Sequence, residues 1–173
     1  MEKMGNYYTK MSAKIVLCLA ILAFTTGVGY CFASKYRKRK LFFKQFFEFN
    51  DSYLQELEYY KRPLKEFIFV GNYKNEFAEL LTFYLKYLGK SDPWLIDFLS
   101  NVSFLDNEEE GFLKNYFNSL GKADSLSQKN YFLGAKTTLS IWKNAAESDY
   151  KKYAELYVKL GVFIGLAIII III

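Results

Sequence analysis

The stretch that decides the fold is Ile15–Ser34, IVLCLAILAFTTGVGYCFAS, followed at once by Lys35–Lys40, KYRKRK. Twenty residues pass without a charge. At about 1.5 Å per helical residue they cover roughly 30 Å, the thickness of a bilayer core. Tyr30, with Tyr7 and Tyr8 upstream, suits the membrane interface. The competing reading is a cleaved signal peptide, since Cys31-Phe32-Ala33 places small residues at the spacing signal peptidase needs. Tyr30 stands where a lipobox needs a small residue before its cysteine. Lys35, Arg37, Lys38, Arg39 and Lys40 argue for an uncleaved membrane helix, because such a run resists export and stays on the cytoplasmic side.

The other end mirrors this one. Leu160–Ile173 carries no charge and closes in six isoleucines. Those residues alone are short for a crossing, but the run extends to Leu156 if Lys159 snorkels to the headgroups. A buried core helix or a re-entrant tail are the alternatives. Gly161 and Gly165 form a Gly-x-x-x-Gly pair, which lets a second helix approach closely and is compatible with a homo-oligomer. The formal charge of +5 is not a nucleic-acid-binding surface. Residues 35–40 carry five cations, whereas residues 41–157 hold 14 Lys+Arg against 17 Asp+Glu. The excess sits beside the first membrane helix, where it attracts anionic lipid and sets topology. The expected arrangement is a tail over 1–14 outside, a transmembrane helix over 15–34, a basic juxtamembrane segment over 35–40, a cytoplasmic helical bundle over 41–155 and a membrane segment over 156–173 ending outside.

Between the two ends the periodicity is helical throughout. Phe42, Phe46, Phe49, Tyr53, Leu57, Tyr60 and Leu64 recur every three or four residues, until Pro63 breaks or kinks the helix. Gly71-Asn72 reads as a turn. Phe77, Leu81, Tyr84 and Leu88 form the next stripe, closed by Gly89. Ser91-Asp92-Pro93 starts a short helix containing Trp94. Asp106 and Glu109 have capping-box spacing. Phe112, Leu113, Tyr116, Phe117 and Leu120 then share a face ended by Gly121. Asp124, or Ser125 with Gln128, starts the longest helix. Its stripe runs through Phe132, Ala135, Leu139, Trp142, Ala146, Tyr153, Leu156 and Leu160, broken only at Asp149, and is expected to continue unbroken into the tail. Leu88-Gly89-Lys90-Ser91-Asp92 echoes Leu120-Gly121-Lys122-Ala123-Asp124; each is a helix stop followed by a helix start. The fold class is all-α.

Much chemistry is excluded by composition. The chain has no histidine, which removes histidine-based nucleophilic triads and histidine metal ligands. Cys18 and Cys31 cannot build a four-cysteine zinc site, and act as small apolar residues of the first membrane segment. No phosphate-binding Gly-x-x-x-x-Gly-Lys run occurs. Glu108, Glu109 and Glu110 favour a helix dipole rather than a metal. Aromatic residues are 20% of the chain, and their helical spacing marks core rather than a base-stacking platform. The residues point to no enzyme, cofactor or metal.

An ordered set of short motifs resembles stage III sporulation protein AB of endospore-forming bacteria. Gly29, Tyr36 and Arg37 resemble the end of that family's first membrane helix. Glu56–Tyr59 and then Pro63-Leu64 resemble its acidic-aromatic step before Pro-Leu, and Trp94 falls where an aromatic is frequent. Phe117, Leu120, Gly121, Asp124 and Gln128 resemble its Phe-Gly, Leu-Gly, Ser-Asp, Gln signature, with Asn118 in place of Gly and Ala123 in place of Ser. Tyr157, Leu160, Gly161 and Gly165 resemble its end before the aliphatic tail. The resemblance implies a non-enzymatic scaffold of the channel between mother cell and forespore, located in the mother-cell membrane. It would contact a secretion-type ATPase and the other membrane subunits, in the manner of the platform of type II secretion and type IV pilus machines. The alternatives are a platform-like subunit of a pilus or secretion system outside sporulation, and a small membrane accessory or immunity protein.

Overall fold

The computed structural model describes residues 2–60, 62–88, 93–99, 102–122 and 125–172. No strand occurs among them. The elements are α1 (Glu2–Gln55) ending in a π turn (Glu56–Tyr60), α2 (Leu64–Val70), α3 (Asn75–Tyr87), α4 (Pro93–Leu99), α5 (Asn107–Ser119), α6 (Ser125–Asp149), a second π turn (Tyr150–Ala154) and α7 (Glu155–Ile172). They divide into two compact units, Lys38–Ser148 and a pairing of Met1–Arg37 with Asp149–Ile173.

The Lys38–Ser148 unit has an aromatic core. Phe42, Phe46, Phe49 and Tyr53 of α1 are buried at the expected intervals, against Phe77 and Tyr84 of α3 and Tyr116 and Phe117 of α5. The rings meet edge to face: Phe46 and Tyr116 at 4.7 Å and 85°, Tyr53 and Phe132 at 4.9 Å and 86°. That geometry places a positive ring edge on a negative ring face, worth roughly 0.5–1.5 kcal/mol per pair beyond the area buried. Among the described residues, Pro63, Gly71-Asn72, Pro93 and the Asp106–Glu109 pair act as the sequence predicts. α1 gives way to its π turn before Pro63, whose carbonyl accepts from Phe67 N at 3.1 Å as α2 begins. Residues 71–74 are non-helical. Asp106 and Glu109 form a full capping box: Glu109 N donates to Asp106 Oδ1 at 2.9 Å, and Asp106 N donates to Glu109 Oε2 at 3.0 Å. Pro93 is the first residue of α4. Gly89, Ser91, Asp92 and Asp124 lie outside the described residues, as do the side chains of Tyr7, Tyr8 and Trp94.

The second unit pairs the first part of α1 with α7. Both belong to helical stretches long and apolar enough to cross a membrane, and only 6% and 11% of their apolar windows is buried. A helix buried in a soluble core would show the opposite. The helical backbone does run from Ser125 to Ile172, but with the π turn inside it. That turn corrects the expected stripe. Leu156 and Leu160 are exposed, and Ala154, Gly161 and Gly165 are buried instead. A π turn carries one residue more than an α turn, so the apolar phase moves on by one position at the point where Asp149 had interrupted it.

Candidate functional site

Two constellations emerge, one in each unit. In the paired-helix unit, the small residues face each other. A Cβ built on Gly29 would stand 2.5 Å from the Tyr157 carbonyl oxygen, and one on Gly161 would stand 2.6 Å from the Thr25 carbonyl oxygen. A Cβ on Gly165 would collide with Thr25 Oγ1, whereas one on Gly27 would meet nothing within 4 Å. The pairs 29 with 157 and 25 with 161 run in opposite directions, so the two helices are antiparallel with their backbones in contact. Small residues permit that approach, and dispersion between the backbones then holds it. Thr25 Oγ1 donates to Ile21 O at 3.0 Å, which satisfies the hydroxyl within its own helix. Beyond Gly29 the seam becomes aromatic: Phe32 stacks on Tyr157 at 5.7 Å, and Tyr36 stacks on Tyr153 at 5.3 Å.

In the bundle unit, Tyr53 gathers residues that the sequence motifs had singled out separately. Its hydroxyl donates to Gln128 Oε1 at 2.7 Å. Burial pushes the Tyr53 phenol above its ordinary pKa, and a backbone hydrogen bond from Gly121 opposes the rise. Gly121 has φ +71, the left-handed conformation that a helix stop requires. A Cβ there would sit 3.6 Å from Leu64 Cδ2. Leu120 and Phe117 are buried alongside, Phe117 packing on Tyr84 at 5.0 Å. Pro63-Leu64, Leu120-Gly121 and Gln128 are thus brought to one place.

Three polar groups of this unit find partners that the sequence motifs do not indicate. Asn50, fully buried, donates from Nδ2 to Phe132 O at 3.1 Å and accepts from the Tyr116 hydroxyl at 2.9 Å. Glu56, also buried, accepts from Arg62 N and Arg62 Nη2 at 2.7 Å each. These bonds hold its carboxyl below the usual carboxylate range although burial opposes the shift. Arg39 donates to Glu109 and, at 2.7 Å, to Phe104 O. Such polar groups in a nonpolar protein interior carry no detectable periodicity, so hydropathy patterns miss them. The basic run itself is dispersed. Lys38 pairs with Glu76 at 3.1 Å, Arg37 donates to the Tyr30 hydroxyl at 3.2 Å, and Lys35 is exposed. Among the described residues no buried side-chain nitrogen or oxygen lacks a hydrogen-bond partner, so the interior polar groups are committed to structure.

The fold and these constellations define a helical protein with two membrane-length apolar helices and a structural polar interior. Residues 95–173 match the family model of stage III sporulation protein AB. The match spans just under half of the chain, takes in Phe117, Leu120, Gly121, Gln128, Gly161 and Gly165, and supports the stage III sporulation protein AB family for this protein. That family is a sporulation-associated, structural type of protein. No curated protein and no solved structure matches the chain.

Proposed function

We propose that this protein is a membrane scaffold of the channel between mother cell and forespore. In this reading α1 and α7 form a hairpin in the mother-cell membrane, and residues 38–148 form a cytoplasmic helical domain. That domain contacts a secretion-type ATPase and couples it to the other membrane subunits. The observation that carries the membrane half is the antiparallel pair with exposed apolar surface and backbones in contact at Gly29 and Gly161. Such a surface is costly in water and neutral in lipid. The cations at Lys35 and Arg37 support a cytoplasmic side for the bundle. The sporulation half rests on the family match. A rigid, aromatic-packed domain is suited to transmitting force rather than to turnover, because its polar groups are spent on internal bonds.

The test is co-isolation. The tagged full-length protein is extracted in mild detergent from sporulating cells. The secretion-type ATPase of the sporulation channel is expected in the eluate, and absent when the tag is on an unrelated membrane protein. Recovery with pilin or secretin subunits and without that ATPase would place the protein in a different machine.

A further inference from the structure

We propose that the groove between α1 and α7 beside the aromatic seam binds one anionic phospholipid, resting on the membrane reading given above. The groove is a cavity of about 310 Å³. Its wall is apolar, formed by Ala33 of α1, Ala154 of the π turn and Val158 of α7. The small side chains of Ala33 and Ala154 leave the helices unfilled just beyond the tight contact of Gly29 with Tyr157.

The rim carries two cations. Arg37 is held over the groove by its hydrogen bond to the Tyr30 hydroxyl, and among the described residues no carboxylate pairs with it. Lys159 donates to Glu155 at 3.2 Å, but both side chains are mostly exposed, 67% and 73%, so that pair is weak and readily shared. The groove therefore keeps a net positive charge. The antiparallel register sets the depth. With Tyr157 opposite Gly29 and Gly161 opposite Thr25, Lys159 lies level with Gly27 and Val28, inside the uncharged stretch Ile15–Ser34. A lysine at that depth reaches toward the headgroup layer and gains most from an anion there. A lipid phosphodiester supplies the anion, and its acyl chain supplies the apolar surface that the wall of Ala33, Ala154 and Val158 demands. Free phosphate would leave that wall unused.

The test uses the full chain in non-ionic micelles offered equal amounts of phosphatidylglycerol and phosphatidylcholine, with bound lipid counted by native mass spectrometry. Preference for phosphatidylglycerol is expected, about fivefold for each cation engaged. Arg37→Gln with Lys159→Gln should abolish it, and Arg37→Lys with Lys159→Arg should retain it. Lys35→Gln with Lys152→Gln removes the same charge near the groove and should leave the preference in place. Equal loss in both neutralised pairs, loss in the conservative pair, displacement by inorganic phosphate, or no preference in the parent chain would overturn the site. The membrane reading fails separately, by release of the protein from membranes in alkaline carbonate without detergent.

Discussion

Arg39 and Glu109 meet as a fork on a fork. Arg39 Nη1 donates to Glu109 Oε2 at 2.7 Å, and Nη2 donates to Oε1. The same guanidinium lies 5.0 Å over the Phe43 ring. Glu109 also caps its own helix through Asp106 N, so one carboxylate fixes the start of α5 and ties it to α1. The arginine stands in a run that charge alone assigns to the membrane surface, yet it is 19% exposed and its partner 2%.

Arg39 and Lys38 should therefore differ sharply on substitution. Arg39→Ala leaves the buried Glu109 carboxylate without its cation, with only the Asp106 N bond remaining, and is expected to cost about 3–5 kcal/mol of bundle stability. Lys38→Ala breaks an ion pair whose lysine is 55% exposed and should cost less than about 1 kcal/mol. Denaturant unfolding of the two variants in micelles measures the difference. Equal costs would show that the fork is not structural.

The seam makes a graded prediction. Gly29→Ala and Gly161→Ala each drive a methyl group into a backbone carbonyl and must separate the helices. Gly165→Ala meets the Thr25 hydroxyl, which can rotate away, and should be milder. Gly27→Ala enters open space, and exchanging glycine for alanine in a helix gains up to about 1 kcal/mol. Disulfide trapping between cysteines placed at Thr26 and Val162, with Cys18 and Cys31 replaced by alanine, should fall in the order Gly27→Ala, Gly165→Ala, then the other two.

Gly121 should tolerate substitution according to backbone preference rather than size, since its nearest neighbour is in ordinary contact at 3.6 Å. Gly121→Val is expected to cost at least about 1–2 kcal/mol for the left-handed conformation. Gly121→Asn should cost less, because asparagine adopts that conformation more readily. Thermal melting compares them.

The pH dependence has two limbs. Arg62 holds Glu56 below its ordinary value near 4.5. A depressed carboxyl stabilises the fold above its unfolded pKa, and that contribution is lost as pH falls through the folded value. Glu56→Gln should flatten part of the acid limb. Burial raises the phenols of Tyr84 and Tyr116 above 10.0. Their contribution is complete below the unfolded pKa and is lost as pH rises past it toward the folded values. Tyrosinate absorbance from these two residues should appear only together with loss of helical circular dichroism.

The helical bundle was legible because its cause is periodic: Phe42, Phe46, Phe49 and Tyr53 repeat with the helix and are buried together. Pro63, Gly121 and the Asp106–Glu109 capping box were legible because local backbone chemistry acts within a few residues. Asn50 with Tyr116 and Arg39 with Glu109 join residues 66 and 70 positions apart, and nothing local announces such pairs. The phase of α7 departs from the expected stripe for a related reason. A π turn at Tyr150–Ala154 has no fixed sequence signature, and one extra residue moved burial from Leu160 to Gly161. Gly161 and Gly165 stand out by spacing, but spacing does not name their partner face, which is Thr25 and Gly29 of α1.

The proposal that α1 and α7 cross the membrane while residues 38–148 stay in the cytoplasm is tested most directly by topology. Reporters active on only one side of the membrane are inserted after Ser127 and fused after Ile173. The account predicts a cytoplasmic signal at Ser127 and an external signal at the C-terminus. An external signal at Ser127 would contradict it, because the domain could not then reach a cytoplasmic ATPase.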